Sequence, residues 1–302
     1  MITGATGFIG RALCLALHKD YDVIALSRRV DRARQSIGHI ATVVGWDAKT
    51  PAGWKDQARG ASAIIHLAGE NVGSGRWNEK RKSRILHSRL DSTGAVIDAV
   101  KELENKPNVV ILASAIGTYS SRRDEPLDEA STPGEGFLAN VCQQVESRAE
   151  EIESLGVRCV LLRTGVVLGR NGGALAKLAQ PFRFFLGGHL GAGDQWFSWI
   201  GLDDEIAAIR FLMEHDQLHG AFNLTAPEPV TMKEFCTILG KVMHRPAWLH
   251  IPAFILRLAL GEMADEMLLS GQRVLPKRLL EAGFEFRYPE VEKALNAITD
   301  EF

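Results

Sequence analysis

Three glycines, in Thr3-Gly4-Ala5-Thr6-Gly7-Phe8-Ile9-Gly10, constrain this chain more than any other feature. A helical apolar pattern, Phe8–Lys19, follows at once, and then a β-branched run, Asp22–Ser27. Strand, glycine turn and helix in that order have a mechanical reading. Gly4 permits the tight turn, Gly7 lets the backbone approach a pyrophosphate, and Gly10 lets the helix pack on the strand. The free N–H groups and positive dipole end of the helix then face the phosphates. Gly4, Thr6, Gly7, Phe8, Ile9 and Gly10 are therefore candidate dinucleotide contacts. Only Met1, Ile2 and Thr3 precede Gly4, where a strand of ordinary length takes about five residues. Either the central strand is unusually short, or the start is trimmed or misassigned.

The segments beyond the turn alternate. Strands are expected at Asp22–Ser27, Ala41–Trp46, Ala63–Leu67, Asn108–Ser114 and Val157–Arg163, and helices at Phe8–Lys19, Ala52–Arg59, Asn78–Glu104 and Glu135–Leu155. Such alternation predicts a parallel sheet covered on both faces, and the continuous apolar strands suit burial on both sides. Past Thr164 glycines cluster, and helical patterns dominate from Met232. The expected fold class is α/β. A Rossmann-type, doubly wound parallel sheet spans residues 1–164. A smaller, mostly helical substrate domain spans 165–302, with some later segments returning to the first. A chain of 302 residues, 46% hydrophobic, can bury cores of that size.

The second strand ends Ser27-Arg28-Arg29. An acid there would bind a ribose 2′-hydroxyl and favour NAD, whereas a serine and two arginines suit a 2′-phosphate. NADP is thus expected over NAD. Trp46 and Asp47 end the third strand and are candidate adenine neighbours. His66-Leu67-Ala68-Gly69 ends the fourth, where Leu67, Ala68 and Gly69 open toward the nicotinamide ribose. His66 itself reads as a core histidine.

Other classes of partner fit poorly. A net charge of −2 with no basic arm argues against nucleic acid. Cys14, Cys142, Cys159 and Cys236 lie far apart with no CxxC spacing, which suits buried thiols in a reducing compartment rather than disulfides or a metal site. No apolar run approaches the roughly 18 residues needed to span a bilayer, and no signal peptide precedes the glycine turn. The expectation is a cytoplasmic protein acting on a small molecule, without nucleic acid, membrane or metal, and with a homodimer left open.

The TGATGFIG turn, the HLAG strand end and Trp199-Ile200-Gly201-Leu202-Asp203-Asp204 resemble extended short-chain dehydrogenase/reductases of the NAD(P)-dependent epimerase family. Gly69-Glu70-Asn71, Arg76-Trp77, Ser88-Arg89, Leu162–Gly169, Gly172-Gly173-Ala174, Pro181-Phe182-Arg183, Gly271–Lys277 and Ala282-Gly283-Phe284 are similar to one subgroup, the YfcH-type proteins, which end in a small domain of unassigned function. The resemblance covers essentially the whole chain. It implies a Rossmann fold with NADP contacts at Ser27, Arg28, Leu67, Ala68 and Arg89. Ser114, Arg163 and Thr164, at later strand ends, join the cofactor candidates. It supplies no substrate.

Active members of the superfamily use a tyrosine and, four residues on, a lysine on one helical face. Here the tyrosines are Tyr21, Tyr119 and Tyr288, followed at that spacing by Ala25, Arg123 and Glu292. No lysine lies between Lys106 and Lys177. Leu138 and Cys142 align with the pair, and the usual strand-end hydroxyl falls at Ser114 or Ala115. Two functions follow: hydride chemistry with a substitute proton donor, or NADP binding without turnover, as in a sensor or scaffold. The substitute candidates are Tyr119, Glu70 and Ser114. Asn71, Gln195 and Trp199 are candidate substrate contacts, Trp199 being equally a core residue. Cys142 reads as an inert buried thiol, Asp203-Asp204 as a helix cap, and Phe254–Leu260 as a packing helix.

Overall fold

A computed structural model describes residues 1–170 and 172–299. The strands of four or more residues, together with the two-residue β1 (Ile2–Thr3), are β2 (Ile24–Ser27), β3 (Thr42–Gly45), β4 (Ala63–His66), β5 (Val109–Ala115), β6 (Arg158–Thr164), β7 (Gly187–Leu190), β8 (Gly220–Leu224) and β9 (Ala247–Ile251). The helices of eight or more are α1 (Phe8–Leu17), α2 (Val30–Ile37), α3 (Glu79–Glu102), α4 (Phe137–Glu146), α5 (Gly173–Arg183), α6 (Leu202–Glu214), α7 (Met232–Val242), α8 (Ala253–Leu260) and α9 (Val291–Thr299).

Seven strands form one sheet in the order β8-β6-β5-β4-β1-β2-β3, and every pairing in it is parallel. The chain is therefore a doubly wound α/β protein of Rossmann type, with the order reversing between β1 and β4. β1 is short, yet both its edges are paired: Ile2 lies between Ala25 and Ile65, and Thr3 between Leu26 and His66. Two residues suffice because neighbours on both sides hold them. β4 is buried along its whole length, as its run of apolar residues requires.

α1 buries Gly10, Leu13, Cys14 and Leu17 and shares a core with Ile206, Ile209 and Leu212 of α6 and Phe222 of β8. Residues 202–224 thus return to the sheet from beyond position 165. A separate core joins α5, α7 and α9 through Phe182, Phe235, Leu239 and Leu295. This C-terminal part also holds a two-stranded parallel ribbon, β7–β9, which the helical pattern of the sequence concealed.

Two expected helices differ. Gly53 and Gly60 sit at φ +81° and +65°, so only a 3₁₀ turn, Lys55–Ala58, fits between them. The stretch Glu135–Leu155 starts later, after Gly136 at φ 107°. It breaks where Arg148 N–H bonds Val145 O, and resumes as Ala149–Ser154. Among the described residues no helix is long and apolar enough to cross a membrane, no group of three or more His, Cys, Asp or Glu is placed to hold a metal, and all four cysteines are free and buried.

Candidate functional site

A cleft of about 710 Å³ opens over the carboxyl ends of β1 to β4. Its floor is the glycine turn. Gly4 sits at φ +67°, and a Cβ there would lie 2.8 Å from the backbone of Leu67. Gly7 N–H closes the turn onto Gly4 O at 2.9 Å. A Cβ on Gly10 would overlap the Gly4 carbonyl, so α1 is pressed onto the turn. α1 starts without a side-chain cap and without an acid in its first turn, which leaves its N–H groups for an anion. The backbone here forms a cradle that side chains would fill, and it fits a pyrophosphate.

On the β2–β3 side the cleft is lined by Ser27, Arg28, Arg29, Trp46 and Asp47, and also by Arg11, Arg32 and Lys49. Ser27 Oγ accepts from Arg29 N at 3.1 Å and sets the turn that presents both arginines. The Asp47 carboxylate is occupied by the backbone N–H groups of Lys49 and Thr50; these bonds hold its pKa below the usual range. On the β4 side Leu67, Ala68, Gly69 and Glu70 line the cleft with Ser88, Asp91 and Ser92. His66 lies beneath, between Thr3 Oγ1 at 2.8 Å and Ser92 Oγ at 3.1 Å. Burial pushes its pKa down to about 4, so it is a neutral core histidine at pH 7.

Other expected contacts go elsewhere. Phe8 packs against Gly169, Gly172 and Gly173, and Ile9 joins the core; neither lines the cleft. Arg89 lies under Gly69 and donates to Glu70 O and Ile85 O. Thr164 donates to the buried carboxyl of Glu205 at 3.0 Å. Asn71 turns its Oδ1 back to Gly73 N, while its carbonyl accepts from Arg81, which is ion-paired with Glu70. Gln195 Nε2 is spent on Leu190 O and Leu268 O. Trp199 is completely buried and donates to Glu228 O. It is a core residue, as its alternative reading held.

The expected relay region is built as a packed cluster. Arg163 and Glu146 form a buried ion pair at 2.7 Å. Ser114 Oγ donates to Glu146 at 2.6 Å. Tyr119 has no exposed surface; its hydroxyl accepts from Arg163 at 2.8 Å and donates to Asn223 at 2.7 Å. Burial raises its pKa further. Tyr119 therefore does not face the cleft, which corrects its candidacy as proton donor: its hydroxyl is saturated inside the protein. Ser114 and Arg163 are likewise committed to Glu146 rather than to the cleft. Cys142 is buried, and burial pushes its thiol up to about 11.

A second cavity, about 210 Å³, adjoins Leu138. Gly117, Ser120 and Ser121 line one wall, and Asp265, Glu266, Ser270 and Gln272 the other. Glu266 accepts from Phe137 N and Leu138 N at 3.1 and 3.2 Å, so a side-chain carboxylate from the C-terminal part meets the first turn of α4, the helix where the tyrosine position was expected. Sequence reasoning missed Glu266, since its cap spans 129 positions. It also missed Arg32, in the first turn of the helix that follows Arg28 and Arg29.

The profile of the NAD dependent epimerase/dehydratase family matches residues 1–225. The chain belongs to that family. A domain of unknown function, DUF1731, matches residues 251–298. The Arabidopsis thaliana protein described as "Epimerase family protein SDR39U1 homolog, chloroplastic" is 40% identical over 299 residues, covering 98% of this chain and 85% of its own length. Epimerase family protein YfhF of Bacillus subtilis is 38% identical, over 98% of this chain and 96% of its own. The crystal structure of human epimerase family protein SDR39U1, isoform 2, with NADPH superposes with a TM-score of 0.85 at 30% identity, covering 100% of this chain and 99% of that one. UDP-glucuronic acid 4-epimerase from Bacillus cereus shares the fold at a TM-score of 0.81 and 18% identity.

Proposed function

We propose that this member of the epimerase family binds NADPH in preference to NADH and acts as an oxidoreductase or epimerase-like enzyme on a small polar substrate. One observation carries the cofactor choice. Where an acid would meet a ribose 2′-hydroxyl, the cleft presents Ser27, Arg28, Arg29 and Arg32, and the three arginines form no ion pair among the described residues. Guanidinium groups recognise a phosphate through charge-assisted hydrogen bonds. The human relative with NADPH supports the same reading. In this chain the α1 N-terminus would hold the pyrophosphate, and Leu67–Gly69 would flank the nicotinamide ribose. The bound cofactor would supply a hydride as NADPH or accept one as NADP⁺. Glu70, on the cleft beside Arg81, is the remaining side chain of the expected set placed to accept a substrate hydroxyl. Four buried, unpaired cysteines suit a reducing, cytoplasmic setting.

The sealed Tyr119–Arg163–Glu146 cluster favours a second reading, a silent NADPH-binding scaffold. Titration with NADPH and NADH, followed by absorbance at 340 nm against a panel of carbonyl compounds and nucleotide sugars, separates the two. Tight NADPH binding with steady oxidation by one panel member is the expected result. An epimerase returns its hydride and consumes no cofactor, so the sugars incubated with NADP are also checked for inverted product by NMR. Binding with neither oxidation nor inversion across the panel selects the scaffold. No fluorescence change and no thermal shift with NADPH overturns both.

A further inference from the structure

The cavity beside Leu138 differs in charge from the cofactor cleft. Gly117 lies in the turn that follows β5, and β5 neighbours β4 in the sheet. The cavity therefore sits on the same carboxyl edge as the cleft, where open α/β sheets bind their ligands. One wall comes from the loop between β5 and α4. The other comes from residues 265–272, inside the segment that matches DUF1731. The cleft is lined by five basic side chains, Arg11, Arg28, Arg29, Arg32 and Lys49. Among the described residues the cavity is lined by none. Apart from Gly117 and Leu138, its lining residues carry hydroxyls, an amide or a carboxylate.

Part of this lining is engaged. Glu266 holds Phe137 N and Leu138 N, Asp265 is paired with Arg257 at 2.8 Å, and Ser120 donates to Glu135 O. The Ser121 hydroxyl, the Glu135 carboxylate and the Gln272 amide form no side-chain hydrogen bond or ion pair among the described residues. The arginines that flank the lining in sequence point their charge elsewhere. Arg122 donates to Thr132, and Arg273 stacks on the Trp196 ring at 4.7 Å. Size adds a second limit. At about 30 Å³ for each water in the liquid, the cavity's volume of about 210 Å³ is room for roughly seven. That falls short of the about 300–1,000 Å³ usual for a drug-sized ligand, and it suits a molecule no larger than a monosaccharide.

We propose that this cavity takes a small, phosphate-free compound that donates hydrogen bonds through hydroxyl or ammonium groups, a free sugar or amino sugar in size, and that it excludes nucleoside diphosphates. The proposal deepens the enzymatic reading above and rests on it for turnover, not for binding. Glu135 and Glu266 accept from such donors, while Ser121 and Gln272 can donate or accept. Leu138 offers an apolar surface to the ligand's carbon face. A phosphate seated here would meet carboxylates and no cation. Like charges brought together suppress a wrong partner. The C-terminal segment supplies Asp265, Glu266 and Gln272, so it sets the charge that the ligand must match.

Ligand-observed NMR titrations of the full chain, with and without NADPH, test the site. The probes are glucose, glucosamine, glucose 6-phosphate and UDP-glucose. Glucose and glucosamine should bind, glucose 6-phosphate roughly tenfold or more weakly, and UDP-glucose should not displace glucosamine. Leu138→Trp fills the cavity and should abolish sugar binding while NADPH still titrates, which shows the variant folded. Should that variant misfold, Glu135→Gln provides a second route, weakening glucosamine severalfold more than glucose. Three results overturn the proposal: neither unphosphorylated sugar binds, UDP-glucose displaces glucosamine, or sugar binding is indifferent to both variants. Sugar binding without oxidation or inversion supports the site and selects the scaffold for the function. Sugar binding by a chain that takes no NADPH supports the site and overturns the cofactor reading.

Discussion

The two sides of the sheet's carboxyl edge use charge in opposite ways. Over β1 to β3, Arg28, Arg29 and Arg32 face an open cleft without carboxylate partners among the described residues. Over β5 and β6, Arg163 is buried against Glu146, with Ser114 and Tyr119 closing the network. One side is arranged to receive an anion, and the other is already satisfied. The superfamily's usual relay would need an exposed hydroxyl and a lysine where the second side packs Leu138 and Cys142. On the proposed reading the two tasks are separable on this fold: the first side would hold the cofactor, and the second carries a satisfied hydrogen-bond cluster where the relay was expected.

If that division holds, Glu146→Ala should strike stability and spare cofactor choice. It leaves the Arg163 guanidinium buried and unpaired, a loss of about 3–5 kcal/mol. The drop should appear in urea unfolding, with the NADPH-to-NADH preference unchanged wherever the variant is folded. Arg28→Ala should do the reverse. Charge-assisted hydrogen bonds are worth about 1.5–3 kcal/mol, so NADPH affinity should fall about ten- to hundredfold, with NADH affinity and melting temperature unmoved. Equal loss for both dinucleotides would remove the 2′-phosphate assignment.

Much of the open side was readable beforehand. The glycine turn and Ser27-Arg28-Arg29 are local features whose consequences lie within a few residues, whereas the shortness of β1 was one of two open alternatives until its pairing on both edges was seen. The closed side is non-local. Tyr119 meets Asn223, 104 positions away, and Arg163 meets Glu146 from a different element. A tyrosine just past a strand end looks the same in sequence whether its hydroxyl reaches a cleft or a buried asparagine. The β7–β9 ribbon was hidden for a similar reason. Short strands such as Gly187–Leu190 carry no alternation to betray them.

Tyr119→Phe puts the closed side to a direct test. Removing the hydroxyl takes an acceptor from Arg163 and a donor from Asn223 while keeping the ring. The expected cost is about 1–3 kcal/mol, seen in thermal and urea unfolding. NADPH binding and any turnover found should stay within a small factor of wild type. General acid catalysis is worth about a hundred- to ten-thousandfold, so a loss of that size in a folded variant would return Tyr119 to the reaction.

Glu205 offers the finest comparison, because it is a carboxyl on the closed side that has no counter-charge. It is buried, accepts from Thr164, and leaves Oε2 without a partner among the described residues. Burial pushes its pKa up to about 8, against about 4.3 in an unfolded chain. Between those values the folded state holds a proton that the unfolded state releases. Folding stability therefore falls as pH rises through that window, by at most about 1.4 kcal/mol per pH unit. His66 acts with the opposite sign. Its pKa is lowered to about 4, so its contribution is lost as pH falls below about 6.5. Between about pH 6.5 and 8 the slope from Glu205 stands clear of His66. Glu205→Gln keeps an acceptor for Thr164 and removes the proton. The buried Met1 ammonium, lowered by burial to about 6, contributes the opposite slope over the same range in both proteins. Urea unfolding should therefore show the variant gaining stability relative to wild type as pH rises from about 6.5 to 8. Parallel profiles would mean that Glu205 is already charged in the folded protein, and that the closed side tolerates an unpaired anion as the open side tolerates its arginines.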